Sequence, residues 1–187
     1  MKLARLEATD LSDRRKAAVL ELWQSVWPQK GATERSFEQR FADRWSPTPG
    51  ERESEAFHLV ELHGELAAVS RSFAREIAFL DGERREKVLA LASVCSDPAL
   101  RGKGYGRLVV EDAFARMRED GFRWCLFQTG VPDFYRKLGA KLVQNRFVNS
   151  FSSQDPEASP WWDAYVMVYG EVELWLEGRV DLRGPGY

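Results

Sequence analysis

The feature that most constrains the fold is a glycine-rich turn between an apolar strand and an amphipathic helix. Lys87 to Ser96 is a nearly all-apolar run of small residues, which predicts a strand that is buried on both faces. The turn, Arg101 to Gly106, has three glycines within five residues. Val110, Phe114 and Met117 then recur at helical spacing. This strand–turn–helix unit predicts an α/β protein.

The rest of the chain extends this pattern into one mixed sheet. The first helix has two candidate caps, Thr9-Asp10 and Ser12-Asp13. Further helices are predicted after Thr33 (with Phe37, Phe41 and Trp45 on one stripe), after the glycine turn and from Pro132. The other predicted strands are Lys2–Ala8, Ala56–Leu62, Leu66–Phe79, Phe122–Gln128, Leu142–Phe151 and Ala164–Gly170. Because we find no linker or internal repeat, we expect a single domain over residues 1–187. Its central sheet has about seven strands and is flanked by helices.

Composition excludes several classes of function. The 187 residues carry a net charge of -2, which argues against a nucleic-acid partner. No apolar run approaches the roughly 18 residues of a membrane span, and residues 1–10 lack a signal-peptide core. Cys95 and Cys125 fit no ligand pattern, so we expect no metal, a reducing compartment and a cytoplasmic location.

The turn has the composition of an anion-binding loop. A helix N-terminus offers unpaired N–H groups and partial positive charge, and glycine lets a ligand approach the backbone. A nucleotide P-loop is excluded, because Gly104 follows Lys103 where Ser or Thr is required. The dinucleotide fingerprint is excluded as well, because Arg107 stands where its third glycine would be.

Arg101, Gly104 and Gly106 match the pattern Arg/Gln-x-x-Gly-x-Gly/Ala, which resembles the acyl-CoA signature of the GNAT superfamily of N-acetyltransferases. The order of predicted elements from Lys2 to Gly170 is similar to the GNAT fold. The resemblance implies a GNAT-like acetyltransferase domain that uses acetyl-CoA as its acyl donor.

The resemblance also implies roles for particular residues. Backbone N–H groups of the turn would bind the CoA pyrophosphate, the backbones of Val94 and Ser96 would pair with the pantetheine arm, and the Val94 N–H would polarise the thioester carbonyl. The implied cofactor-binding residues are Val94, Ser96, Arg101, Gly102, Lys103, Gly104, Tyr105, Gly106, Arg107, Thr129 and Tyr135.

Tyr135 is the candidate general acid. The segment from Phe134 to Gly139 resembles the family's aromatic-Tyr-x-x-x-Gly segment, in which the hydroxyl approaches the CoA sulfur. A phenol can protonate the departing thiolate. The alternative is that Tyr135 packs beneath a short helix. Where many family members have Asn, this chain has Gln128-Thr129, and Thr129 is the candidate replacement.

The general base is not evident. Many GNAT enzymes use a Glu on the fourth strand, but the centre of that strand, residues 88–95, contains no acid. The remaining candidates are Glu86, Glu76, His58 and the carboxylate of Tyr187. His58 shares the parity of core residues, which favours a structural role. The tail around Asp181 and Tyr187 resembles that of the aminoglycoside 2′-N-acetyltransferase branch. The resemblance implies that Asp181 and the Tyr187 carboxylate bind or deprotonate the amine, and the alternative is a frayed end.

The segment Trp161-Trp162-Asp163 has two interpretations: it binds a sugar or a cation, or it packs on the sheet. We favour an N-acetyltransferase that acetylates the primary amine of a small molecule by direct attack in a ternary complex. The alternatives are a non-catalytic acyl-CoA-binding module and a protein or peptide N-acetyltransferase. The resemblance also admits a homodimer.

Overall fold

The structure, a computed structural model, describes residues 1–28 and 54–187. The helix predicted after Thr33 lies outside the described residues. By its internal contacts the chain divides into two compact units. The first comprises Met1–Ser72 and Ser93–Asp112, and the second comprises Phe73–Ala92 and Ala113–Tyr187.

The first unit contains an antiparallel meander. Strand β1 (Lys2–Glu7) pairs with β2 (Ala56–Leu62), and β2 pairs with the beginning of β3 (Glu65–Phe79). The turn between β2 and β3 is His63-Gly64, with φ values of 51° and 90°. Two positive φ values match the right-handed twist of the strands, which confirms the predicted two-residue hairpin.

Helix α1 (Asp13–Val26) begins at the second of the two candidate caps, where Ser12 Oγ accepts from the Arg15 N–H at 3.4 Å. Its apolar stripe belongs to a core cluster with β2 residues. The buried members of that cluster are Leu11, Val19, Leu20, Leu22, Trp23, Phe57, Leu59, Val69 and Cys95. The helix is therefore stabilised by packing its apolar stripe on a face of the sheet.

Strand β4 (Arg84–Ser96) contributes to both units, as β3 does. Helix α2 (Tyr105–Glu119) follows the glycine turn, and Val110, Phe114 and Met117 are buried as its periodicity predicts. No helix in the described ranges is long and apolar enough to cross a membrane.

The second unit is built around β5 (Trp124–Thr129), all of whose residues are buried. It pairs in parallel with β4, with Leu89 opposite Cys125, and antiparallel with β8 (Tyr165–Gly170). Helix α3 (Pro132–Arg136) begins at the predicted proline. Trp124 packs edge to face with Phe79 and with Trp175, so these aromatic rings form the centre of this unit's core.

The predicted strand Leu142–Phe151 is wrong, because two short strands replace it. Strand β6 (Lys141–Leu142) pairs with β8, whereas β7 (Arg146–Val148) runs parallel to β9 (Arg179–Asp181). Asn145 causes the break: its amide donates to Leu176 O and Gly178 O, and its Oδ1 accepts from Trp175 Nε1. These bonds direct the chain away from β8, the partner of β6, and toward β9, the partner of β7.

The fold class is as predicted: a mixed α/β fold with an open mixed sheet flanked by helices. The described strands number nine rather than about seven. The additional ones arise because the predicted Leu142–Phe151 strand is two short strands and because β9 lies in a tail that showed no clear strand pattern. The single-domain assignment stays a prediction.

Candidate active site

The glycine turn lies in the first unit, between a short 3-10 turn (Pro98–Leu100) and α2. Gly102 and Gly104 have φ values of 78° and 85°, which favour glycine. The first hydrogen bond of the helix runs from Leu108 N–H to Gly104 O at 3.2 Å. The amides of Tyr105, Gly106 and Arg107 therefore point out of the helix start without an intrahelical acceptor.

Space is open above all three glycines. A Cβ added to Gly102, Gly104 or Gly106 would meet no heavy atom of the described chain within 4 Å. Gly102 and Gly104 are explained by their positive φ, but Gly106 is not, because it lies in the first turn of α2 with an ordinary helical conformation. Glycine costs about 1 kcal/mol relative to alanine within a helix. Neither the backbone conformation nor a close neighbour in the described chain therefore requires glycine at position 106.

The side chains of the turn divide into two groups. Arg101 and Lys103 are exposed, so their charges face solvent beside the open amides. Tyr105 packs instead in an apolar cluster with Val109. The guanidinium of Arg107 donates to Glu111 Oε1 at 2.8 Å, so its charge is partly offset within the helix.

The end of β4 leads directly to the turn. Ser93 has a φ of 52°, which breaks the regular strand just before Val94 and Ser96. The Val94 side chain packs with Val60 and its neighbours, which leaves the backbone as the part of Val94 available for binding. Asp97 N–H donates to Ala67 O on β3 at 2.9 Å and fixes the exit of the strand.

The surroundings of Cys95 disfavour a nucleophilic role. Burial raises the pKa of its thiol to about 12, which disfavours the reactive thiolate near neutral pH. Burial also raises the pKa of Cys125. Within residues 1–28 and 54–187, no group of three or more His, Cys, Asp or Glu residues could hold a metal ion.

The remaining predicted site residues lie in the second unit. Tyr135 is buried on α3, and its ring packs on Phe127 with a centroid separation of 4.6 Å. Thr129 is buried at the end of β5, and its Oγ1 accepts from the Val131 N–H at 3.0 Å. That bond forms the turn into α3, so the hydroxyl of Thr129 has a structural task in this chain.

Tyr187 is not frayed. Its ring packs on Phe73 and Trp161 at 5.3 and 4.9 Å, and the Arg75 guanidinium lies 5.2 Å from the ring centroid. Its main-chain oxygen accepts from Gln128 Nε2 at 2.9 Å. The predicted catalytic role of its carboxylate stays a prediction, whereas the packing of the tail is a structural fact.

The other candidate acids have partners. Asp181 Oδ1 accepts from the N–H groups of Ser150 and Arg183, so it organises the tail. Glu76 forms an ion pair with Arg183 at 3.0 Å, and Glu86 pairs with Arg84. These acids are therefore held in ion pairs or turns.

His58 is completely buried, as predicted for a core histidine. Its Nδ1 lies 2.6 Å from Asp112 Oδ2, and its Nε2 lies 2.7 Å from Ser72 Oγ. Sequence reasoning missed both partners. Asp112 had a signal, since it falls three residues after Val109 on the apolar face of α2, where a carboxylate needs a partner.

Gln128 holds the segment Trp161-Trp162-Asp163, a role that sequence reasoning did not assign to it. Its Oε1 accepts from the backbone N–H groups of both Trp162 and Asp163, at 2.9 and 2.8 Å. Trp161 packs on Phe147 and Tyr187, whereas Trp162 is 68% exposed. The two predicted interpretations of this segment therefore divide between neighbours: Trp161 packs, and Trp162 faces solvent.

A mixed sheet with a glycine turn at a helix N-terminus is typical of α/β proteins that bind phosphate-bearing ligands. A comparison with protein-family models identifies the family within this class. A family model described as an acetyltransferase (GNAT) domain matches residues 7–143. The chain therefore belongs to the GNAT family of N-acetyltransferases, which are acyltransferases that use acetyl-CoA. No curated protein matches the chain significantly.

Solved structures agree on the fold. A GNAT family acetyltransferase from Brucella melitensis in complex with acetyl-CoA is 15% identical, with a TM-score of 0.59, over 96% of this chain and 95% of that one. Glucosamine-6-phosphate N-acetyltransferase from Arabidopsis thaliana is 20% identical, with a TM-score of 0.53, over 87% and 100%. A GCN5-related N-acetyltransferase from Kribbella flavida is 22% identical, with a TM-score of 0.57, over 75% of this chain. The present chain spans only 33% of that protein's length.

Proposed function

We propose that this protein transfers the acetyl group of acetyl-CoA to the primary amine of a small molecule. The observation that supports this most directly is Gly106, a helical glycine with open space above it and no conformational need to be glycine. It lies beside amides that have no intrahelical acceptor, where an anion is favoured by charge and by hydrogen bonding.

The residues present fit the pyrophosphate of CoA. The N–H groups of the turn would bind its oxygens, and the exposed cations of Arg101 and Lys103 would offset its charge. The backbones of Val94 and Ser96 would pair with the pantetheine arm. Thr129 and Arg107 are weaker members of the predicted set, because each already has a partner within the chain.

Acetyl-CoA supplies an activated thioester. The chain would supply position, an N–H at Val94 that stabilises negative charge on the carbonyl oxygen, and a proton from Tyr135 for the departing sulfur. The neutral amine would attack the carbonyl carbon directly and the C–S bond would break. Tyr135 would protonate the departing sulfur, and the proton lost by the amine would return to Tyr135 through water. No covalent acyl-enzyme on Cys95 is required, consistent with the raised pKa of its thiol.

Trp162 and Asp163 support a small cationic acceptor. Gln128 holds their backbones, while the indole of Trp162 is exposed and the Asp163 carboxylate has no side-chain partner in the described part of the chain. An exposed aromatic face and a carboxylate are two groups that attract an ammonium ion. We further propose a cytoplasmic location, since both cysteines are unpaired.

Gly106→Val tests the cofactor site. Valine has a better helix propensity than glycine, and a Cβ at this position meets no heavy atom of the described chain within 4 Å, so we expect the variant to fold as well as the parent. Its branched side chain would occupy the space of the pyrophosphate, and we expect the Kd for CoA in calorimetric titration to rise at least tenfold. Gly82→Val is the matched control, because a Cβ at Gly82 also meets no atom within 4 Å, but Gly82 lies in a different turn, Leu80–Gly82, between β3 and β4. Equal CoA binding by both variants and the parent would refute CoA binding at the glycine turn.

Asp163→Asn tests the acceptor. With a polyamine, an aminoglycoside and an amino acid as acceptors in a thiol-release assay, we expect KM for the preferred cationic amine to rise about tenfold while kcat changes little. Glu177→Gln is the control, because it removes another exposed carboxylate of the same unit. An equal rise of KM in both variants would indicate a general charge effect and not a binding site.

A further inference from the structure

Four polar side chains form a continuous hydrogen-bonded chain inside the first unit, which we name the α2 clamp: Arg5, Asp112, His58 and Ser72. Arg5 donates from Nε to Asp112 Oδ2 at 3.2 Å and from Nη2 to Oδ1 at 3.0 Å. His58 joins the same carboxylate to Ser72 at 2.6 and 2.7 Å. The clamp thereby connects α2 to β1, β2 and β3.

The order Ser72–His58–Asp112 has the distances of a hydrolase triad, but it cannot act as one. Ser72 and His58 are completely buried, so no substrate from solvent reaches the Ser72 hydroxyl. An acyl-transfer role also needs an oxyanion site beside an accessible nucleophile. The role of the clamp is therefore internal to the protein.

The clamp fixes the part of α2 that carries the glycine turn. Asp112 lies six residues after Gly106, and Val109, three residues before Asp112, accepts from Ser70 Oγ through its carbonyl at 3.0 Å. Residues three apart share a helix face, so both bonds hold the same side of α2. Before the turn, the bond from Asp97 N–H to Ala67 O fixes the chain to the same strand, β3.

An apolar contact would hold this helix less specifically. Hydrophobic packing is non-directional, and burying an ion pair costs desolvation free energy that apolar side chains avoid. A carboxylate held by two groups on different strands, however, fixes both the rotation and the axial position of the helix. The direction of the amides at Tyr105, Gly106 and Arg107 follows from that rotation.

We infer that the α2 clamp orients the glycine turn for binding of acetyl-CoA, and that Asp112 and His58 are positioning residues for cofactor binding. The inference rests on the proposed function, because it requires that the glycine turn binds acetyl-CoA. The inference goes beyond the proposed function because it places a determinant of cofactor affinity inside the core, on side chains that do not touch the ligand.

The experiment measures the Kd for CoA by calorimetry and the KM for acetyl-CoA, on Asp112→Asn, His58→Ala and His58→Asn. All are measured at a temperature well below each melting transition. We expect Asp112→Asn and His58→Ala to raise Kd and KM at least fivefold while kcat stays within twofold. His58→Asn should recover part of the loss, because its Nδ2 occupies nearly the position of the histidine Nδ1. If Asp112→Asn does not fold, Ser72→Ala removes the last link of the clamp and leaves the Arg5–Asp112 pair intact.

Val19→Ala is the matched control, because it removes buried volume from α1 in the same unit without touching α2. It should lower the melting temperature and leave the Kd for CoA unchanged. Unchanged Kd in the clamp variants, or an equal rise in Val19→Ala, would overturn the inference and leave the proposed function standing. Failure of the parent protein to bind CoA would instead remove the proposed function and this inference together.

Discussion

Asp112 shows how a single buried side chain can couple stability to pH. Burial raises the pKa of this carboxyl, but hydrogen bonds and charges from His58 and Arg5 outweigh burial, so the pKa falls from 3.8 to about 2. A group whose pKa is lowered by folding stabilises the native state above its unfolded pKa. That contribution is lost as pH falls from about 4 toward 2.

We therefore expect the difference in unfolding free energy between the parent and Asp112→Asn to shrink by about 1–2 kcal/mol between pH 5 and pH 2. The measurement is urea unfolding across this range. Taking the difference isolates Asp112 from other carboxylates, such as Glu61, whose pKa is also lowered, in that case by Arg15. A difference that stays constant with pH would show that Asp112 titrates normally in the folded protein.

At the scale of elements, local sequence patterns predicted helix starts and hairpins correctly where a single cap or a single turn determines the structure. The hairpin at His63-Gly64 and the cap at Ser12 agree with the structure, because turn and cap chemistry are local. The break at Asn145 was not predictable, since it depends on carbonyls more than thirty residues away. The same reason hid the role of Gln128, whose partners are distant in sequence.

The end of β8 offers a prediction at this scale. Gly170 has a φ of 114°, and a Cβ there would lie 2.3 Å from the backbone oxygen of Arg123. We expect Gly170→Ala to lower the unfolding free energy by about 3 kcal/mol or more, through strain and a clash that the backbone cannot relieve. Gly82→Ala, at an open position of ordinary φ, should leave stability unchanged or slightly higher. Equal melting temperatures for the two variants, measured by calorimetry, would contradict this account.

For the whole molecule, the order of elements and the glycine turn were sufficient to predict the fold class and the family. The clamp was only half predictable: burial of His58 follows from strand parity, but its partners on α2 and β3 depend on tertiary packing. The tail was the least predictable segment, because Tyr187 is held by side chains from Phe73, Gln128 and Trp161, none of them near it in sequence. Local sequence rules therefore predict helices, strands and turns, whereas the geometry of the site depends on contacts between residues that are distant in sequence.

Ligand-dependent melting is the prediction that involves the whole chain. A ligand that binds only the native state stabilises it by about 2.7 kcal/mol at 100 times its Kd. For a protein of 187 residues, that corresponds to a rise of about 5–11 °C in melting temperature. We expect this rise with acetyl-CoA and with CoA, and none with ATP, because the turn lacks the lysine and hydroxyl arrangement of a nucleotide P-loop. A rise with ATP as large as with CoA would mean that the turn binds phosphates generally, whereas no rise with saturating acetyl-CoA would mean that the open amides at Gly106 bind no cofactor.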